Sequence, residues 1–390
     1  MKKLLALVCA IACIMLLLCS CEPKDAADNT ANYGTYGVYY EHYNIRDNSD
    51  DGSHFQSIMD SVLFPGINDE DYSNYKNYDN ERTVGDFVIG DYYPDGEDSE
   101  GVCILSYIGD AEDIIIPAQL DGQDVVALGA GDYFGDYGIR FPFEITGFRS
   151  LTLPSTLKYI YYGALTFRDS VFVSEQHTEN SDIVLPECIN VDSDNEYFSS
   201  ENGILFSKDK SCLLYVPTGI KADTISTQDD VKYIAEDAII CENVKYINIG
   251  KNVVGINYPS FIFSKKLERI YVDEQNEYYS SKDGVLFDKD QTILLNYPSM
   301  KQEQSYTLPD SVETVAADWG YVLKTEEIVF NKDIQYCNIY EQPYAYSEYC
   351  ADGVAWYSSI KKISGYRGSG FNEAVYRSRS DRDIDYEYIE

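Results

Sequence analysis

Histidine, tryptophan, methionine and basic side chains are all scarce in this chain. Its 390 residues include 3 His, 2 Trp and 4 Met, and 30 Lys plus Arg stand against 66 Asp plus Glu. A Ser-His-Asp or Cys-His site would have to use His42, His54 or His177, since there is no other histidine. No nucleophile elbow, zinc-protease motif, P-loop or dinucleotide fingerprint is present. No CxxC pair occurs either, which argues against a zinc site. The expectation is a protein that is not an enzyme, with no catalytic residue, no metal and no cofactor. The shortage of cations leaves a formal charge of −36. Such a chain repels nucleic acid and anionic lipid headgroups, so an electrostatic partner would be cationic, a basic protein patch or a metal ion.

What is abundant points to a folded, exported chain. Hydrophobic residues make up 44% and aromatics 14%, with 37 Tyr, ample for a core and unlike a disordered composition. Tyrosine suits half-buried and interface positions, where its ring packs and its hydroxyl stays wet. Lys2 and Lys3 precede an apolar run, Leu4 to Leu18, of about 15 residues. That length is short for a membrane span and right for the core of a signal peptide. Leu18-Cys19-Ser20-Cys21 follows and resembles a bacterial lipobox, which implies residues 1–20 as a lipoprotein signal and Cys21 as the lipidated N-terminus. The alternatives are an ordinary secretory signal with Cys21 left as a thiol, or a retained helical anchor. The lipobox reading places the chain in a bacterial cell envelope, lipid-anchored and surface-exposed.

Six cysteines remain: Cys103, Cys188, Cys212, Cys241, Cys337 and Cys350. An oxidising compartment permits disulfides, and Cys337 with Cys350, close in sequence, is the candidate pair. The other reading is small buried hydrophobes, favoured for Cys188, Cys212 and Cys241.

Residues 21–80 are rich in Asn, Asp, Ser, Gly and Tyr and read as an acidic tether. Phe55, Ile58, Met59, Val62 and Leu63 fall at helical spacing inside it, a candidate short amphipathic helix. Asp47 to Gly52 begins like an EF-hand loop, but its twelfth position is Ile58 where a bidentate Glu is needed. Asp192, Asp194 and Glu196, and Asp381, Asp383 and Asp385, alternate; solvated turns account for them better than calcium, which needs six or more converging oxygens.

Internal repetition is the most informative feature. "INVDSDNEYFSSENGILFSKDKSCLLYVP" from Ile189 and "IYVDEQNEYYSSKDGVLFDKDQTILLNYP" from Ile270 match at an offset of 81 residues, Asn195 to Asn276, Gly203 to Gly284, Phe206 to Phe287. A shorter period lies within it, since Ile225, Ile247 and Ile270 are separated by 22 and 23 residues. Apolar residues alternate around each, as a strand with one buried face requires. A strand recurring every 20–29 residues is the spacing of a leucine-rich repeat, in which stacked coils bury what one coil cannot. Gly203 to Phe206 and Leu213 to Val216 read as a β-hairpin inserted into a coil, repeated at Val285 to Phe287 and Ile293 to Asn296.

At these residues the chain resembles the BspA-type leucine-rich repeat family of bacterial surface proteins. Leu151-Thr152-Leu153-Pro154 leading to Leu157 and Ile160, and Tyr306-Thr307-Leu308-Pro309 leading to Val312 and Val315, are similar to its coils. "NEYYSSKDGVLF" is similar to its hairpin unit, and "IKKISGYRGSGFNEAV" from Ile360 to its closing coil. Ala164-Leu165 and Asp318-Trp319 depart from the family's small-residue-plus-Phe position, and residues 135–147 and 168–182 fit no coil. The fold expected is a mostly-β solenoid over residues 81–376, with a parallel sheet on one face, irregular loops, short helical turns and inserted hairpins. Residues 377–390 read as a polar C-terminal tail. The resemblance implies adhesion to host, matrix or other cell-surface proteins; a scaffold role in the envelope and carbohydrate binding are the alternatives.

By alternation, Ile247, Ile249, Ile270 and Val272 point inward. Tyr246, Asn248, Arg269, Tyr271, Glu327 and Val329 point outward and form the candidate binding face, in which Tyr and Arg are the residue types that carry binding energy.

Overall fold

The alternation around Ile225, Ile247 and Ile270 becomes three parallel strands, Thr224–Ser226, Tyr246–Ile249 and Arg269–Val272. Their register pairs Ile225 with Ile247 and Ile247 with Ile270, each one coil apart. In the computed structural model the residues described are 78–94, 98–131, 139–140, 148–161, 164–165, 184–235, 238–256, 261, 264–315, 323–334, 336–337, 360–369 and 385–389. All lie within the unit Gly37–Glu390. All three isoleucines are fully buried, each burial favouring the fold by roughly 1.5–3 kcal/mol over an exposed side chain.

Up to the strand Lys362–Tyr366, each coil crosses a second ladder before it returns to the first. Cys212–Tyr215, Tyr233–Ile234 and Gly255–Ile256 stack in parallel, with Leu213 beside Ile234 and Ile234 beside Ile256. Thus the solenoid has two parallel ladders, where the sequence suggested one sheeted face. Between them the chain turns tightly. Pro154, Gln228, Gly250 and Pro309 accept hydrogen bonds from the amides three residues on, those of Leu157, Val231, Val253 and Val312. Those four apolar side chains are all buried beneath their turns. These single turns stand where short helical turns were expected, and no helix occurs among the described residues.

Buried asparagines bind each turn to the next coil. Asn276 donates to the carbonyls of Gly250 and Val253 (2.8 and 2.9 Å), and its Oδ1 accepts from the amides of Tyr278 and Tyr279. Asn195 does the same with Pro154, Leu157, Tyr197 and Phe198. Asn331 bridges Pro309, Val312 and Asp333. A side-chain amide that spends both donors and its acceptor in this way removes several otherwise orphaned backbone groups from a dry interior.

The inserted hairpins are larger than the sequence reading. Ile204–Ser207 pairs with Cys212–Tyr215 as expected, and also with Phe198–Glu201 on its other side. Tyr279–Lys282, Val285–Asp288 and Ile293–Asn296 repeat the arrangement. Asn202-Gly203 and Asp283-Gly284 make the first turn of each, with φ of 53° and 80°, and 54° and 83°. Positive φ at both positions is what a two-residue type I′ turn demands. Each tip lies against the first ladder, where the Gly203 carbonyl accepts the Ile189 amide and the Gly284 carbonyl the Ile270 amide, both at 2.9 Å. A Cβ at Gly203 would sit 3.2 Å from Cys188 Sγ, and one at Gly284 2.8 Å from Arg269 Cγ.

Because the tips take up those edges, the first ladder is divided into three panels. Asp113–Ile115, Ser150–Leu153 and Cys188–Val191 form one, and the strands of Ile225, Ile247 and Ile270 form the middle one. Ser305–Thr307, Glu327–Val329, Lys362–Tyr366 and Asp385–Ile389 form the third. Ile328 therefore lines up with Tyr306 and Ile363, in a different panel from Ile247 and Ile270. The buried apolar residues also form two clusters, and the strand Val285–Asp288 lies between them, Leu286 in the first and Val285 and Phe287 in the second.

The ends differ from the boundaries read in the sequence. A strand, Tyr78–Val84, starts three residues before position 81 and opens an antiparallel meander with Phe87–Tyr92 and Gly101–Tyr107. The segment taken as a polar tail supplies Asp385–Ile389, a further parallel rung on Lys362–Tyr366. Within the stretch that fitted no coil, Ile139–Arg140 pairs antiparallel with Ala130–Gly131. The lipobox, residues 21–77 of the tether with the candidate helix read there, the three histidines, Cys350 and the Cys337 side chain lie outside the described residues.

Candidate functional site

Register places six outward side chains of the middle panel in a two-by-three grid. One row is Thr224, Tyr246 and Arg269; the other is Ser226, Asn248 and Tyr271. Four of the six were expected from alternation. Thr224 and Ser226 were missed, although the 22-residue offset from Tyr246 and Asn248 would have found them. Tyr271 is 46% exposed, unusual for so large a ring. The Tyr246 and Tyr271 rings lie 6.4 Å apart, tilted by 39°. Asn248 Nδ2 donates to Ser226 Oγ at 2.8 Å, and the Tyr246 hydroxyl donates to Glu268 at 3.1 Å. That bond to Glu268, then its charge, raises the Tyr246 hydroxyl above the usual phenol range, so the ring stays neutral in ordinary buffers.

Arg269 is exposed and has no carboxylate within salt-bridge distance among the described residues. Its stem lies on the hairpin tip, where Gly284 leaves it room. No acidic residue occupies any of the six positions, in a chain with 66 acids.

Glu327 and Val329 are not part of this grid. They belong to the third panel, where Glu327 pairs with Lys362 at 3.1 Å and Lys362 also binds Glu387. Hydrogen bonds from Ser305 and Lys362 hold the Glu327 carboxyl below the usual range. The first panel is tied up similarly. Asp113 accepts from Arg149 and from Ser150 Oγ, and those bonds lower its carboxyl in turn. The face read as one surface is thus three panels, the outer two with their charges engaged and the middle one open.

Three of the four described thiols are buried. Burial pushes the Cys103 and Cys212 thiols up to about 12 and the Cys241 thiol further. Cys188, expected to be buried, is partly exposed at the edge of its panel, with Sγ 3.5 Å from Asn190 Oδ1. Asp192 Oδ1 receives the Asp194 amide, and the loop carbonyls of Ser193 and Asn195 hold the Lys208 ammonium. Lys289 occupies the same place beside Glu274 and Asn276. The slot a cation would need is filled by the chain's own lysines. Among the described residues no cluster of His, Cys, Asp and Glu could hold a metal ion.

No protein-family model matches the chain, and no curated protein does. Solved structures do. The pneumococcal vaccine antigen PcpA is 14% identical, with 80% of this chain and 86% of that chain covered and a TM-score of 0.40. A leucine-rich repeat protein from Eubacterium ventriosum is 16% identical, covering 81% and 85%, with a TM-score of 0.37. A leucine-rich cell surface protein from Faecalibacterium prausnitzii is 14% identical, covering 79% and 94%, with a TM-score of 0.33. This chain's own in-register coils, 22 and 23 residues long and stacked in two parallel ladders, make it a leucine-rich-repeat solenoid.

Proposed function

We propose that this is a surface-displayed, lipid-anchored binding protein, and that the middle panel of its first ladder is where it grips a protein partner. The observation that carries the reading is the open grid itself, two paired tyrosines and an exposed arginine that is in no ion pair among the described residues. Tyr and Arg are enriched at binding hot spots: a Tyr ring buries much area with only two rotors to freeze, and an Arg guanidinium offers five donors in a fixed fork. A parallel sheet gives them a rigid base, so little ordering remains to be done on binding. The BspA-type resemblance supports a partner on a host matrix or another cell surface, and the lipobox supports attachment through Cys21. The titratable and nucleophilic groups favour recognition over catalysis.

The test is capture of matrix and envelope proteins by the mature chain, beside a Tyr246→Ala/Tyr271→Ala variant and an Arg269→Ala variant. Loss of tenfold or more in affinity at unchanged thermal stability is expected for the tyrosine pair, which would correspond to about 1.4 kcal/mol or more. Undiminished capture by both variants would rule the panel out. The anchor is checked separately: Cys21→Ser should release the protein from membranes into the soluble fraction.

A further inference from the structure

The two hairpin tips offer a comparison internal to the chain. Asn202-Gly203 turns the first, with φ of 53° and 80°, and Asp283-Gly284 turns the second, with 54° and 83°. The backbones match, and the first residue of each differs only in carrying an amide or a carboxylate. Asn202 is exposed, and its side chain makes no hydrogen bond among the described residues. Asn202-Gly203 is also the only Asn-Gly step in the 390 residues.

The two tips are held unequally. Each glycine carbonyl accepts one amide of the first ladder at 2.9 Å. The second tip has a further tie. The buried Lys301 ammonium donates to the Asp283 carbonyl and to Glu303, both at 2.6 Å. At the 81-residue offset these two positions are Ile220 and Ala222, whose side chains can neither donate nor accept. The Lys210–Glu201 ion pair flanks the first tip without reaching Asn202, and a part-exposed pair of this kind contributes little.

An asparagine Cγ and the next main-chain nitrogen can close a five-membered ring, and a following glycine has no Cβ to obstruct it. The Gly203 nitrogen forms a bond to Asn202 Cγ and gives up its proton, and the side-chain nitrogen leaves as ammonia. Water then adds to one carbonyl of the resulting succinimide and breaks that carbon's bond to the ring nitrogen. Opening at Cγ leaves aspartate, and opening at the main-chain carbon leaves isoaspartate. Water has replaced ammonia, and nothing is oxidised or reduced. The angles of a type I′ turn point the glycine nitrogen away from Cβ of the residue before it, so the ring closes only when the turn opens. We propose that Asn202 is a self-modification site, converting to aspartate and isoaspartate at a rate set by opening of the first hairpin tip. The fold accommodates the aspartate product, because Asp283 already holds that conformation at the second tip. Isoaspartate lengthens the main chain by one methylene, carries the Gly203 carbonyl away from the Ile189 amide, and unlocks the hairpin from the first panel.

The experiment ages the folded full chain in warm, mildly alkaline buffer and maps its peptides by mass spectrometry, with an isoaspartyl methyltransferase to count isoaspartate. Asn202 should convert ahead of every other described asparagine, and more slowly than in the urea-unfolded chain. Asp283→Asn places a second Asn-Gly step at the tip that Lys301 holds. Because a hydrogen bond to a charged donor must break before that tip opens, Asn202 should convert roughly tenfold faster than position 283. Adding Lys301→Met should bring the two rates together, with thermal unfolding to verify that each variant is folded. Asn202→Asp should keep the Ile189 amide as protected from hydrogen exchange as in the parent, while the isoaspartyl fraction should lose that protection. The proposal is overturned if the folded chain shows no conversion at Asn202 after weeks, or if it converts there as fast as the unfolded chain. Equal rates at the two tips with Lys301 in place would overturn it as well.

Discussion

At the scale of single residues, buried asparagine does what an apolar side chain cannot. Asn276 ties the turn at Gly250 to the bend at Tyr278 through four hydrogen bonds, with its side chain out of water. Asn276→Ala would leave two carbonyls and two amides to find partners in a dry interior. A loss of roughly 2–4 kcal/mol is expected, read as a lower urea midpoint with an unchanged slope. Carboxylates set the acid limit. Burial alone would raise Asp91, but hydrogen bonds from Asn80, Arg82 and Gln123 outweigh it and leave the group lowered; Ser305 and Lys362 lower Glu327. A carboxyl with a lowered folded pKa binds fewer protons folded than unfolded. Its stabilising effect is complete above the unfolded value and is lost as pH falls through the folded one. Melting temperature should accordingly decline as pH drops below the ordinary carboxylate range, and Glu327→Gln should flatten part of that decline.

At the scale of elements, legibility depended on length. The four-residue strands at Tyr246 and Arg269 alternate visibly, so the first ladder and its inward isoleucines could be read from sequence. Strands of the second ladder such as Tyr233–Ile234 and Gly255–Ile256 have two residues, too few for any period to show. The hairpin's third strand was hidden because Phe198–Glu201 is mostly polar, although Asn202-Gly203 is the pair a type I′ turn prefers. The candidate face was half legible for a related reason. Alternation assigns a side but not a neighbour, and the intervening tip moved Glu327 and Val329 into another panel. The last rung looked like a tail because its outward residues are Asp385 and Glu387, while Tyr386 and Tyr388 pack half-buried on the core. Arg367 lies over the Tyr388 ring at 4.2 Å, and Lys362 binds Glu387. Truncation after residue 384 should therefore destabilise the third panel, seen as faster hydrogen exchange at Ile363 and Ser364 with the middle panel unchanged.

At the scale of the molecule, each coil is covered only by its neighbours, so stability is a sum of local stackings along the chain. Charge follows the same plan. Cross-coil pairs such as Lys265 with Glu242, Lys221 with Glu187 and Lys361 with Glu326 spend the few available cations on joining coils. Such exposed pairs contribute little singly, and their effect here is to offset local repulsion within a strongly acidic surface. The two hairpin tips have a modular consequence. Since Ile189 and Ile270 meet their tips through the same amide-to-glycine bond, the stretch between them behaves like a cassette bounded by matching seams. A chain spliced from Ile189 directly to Tyr271 would lose residues 190–270 yet present the later tip with the partner it already expects. Such a splice should yield a shorter, soluble protein that melts cooperatively, and an aggregated or molten product would show that the seams do not match.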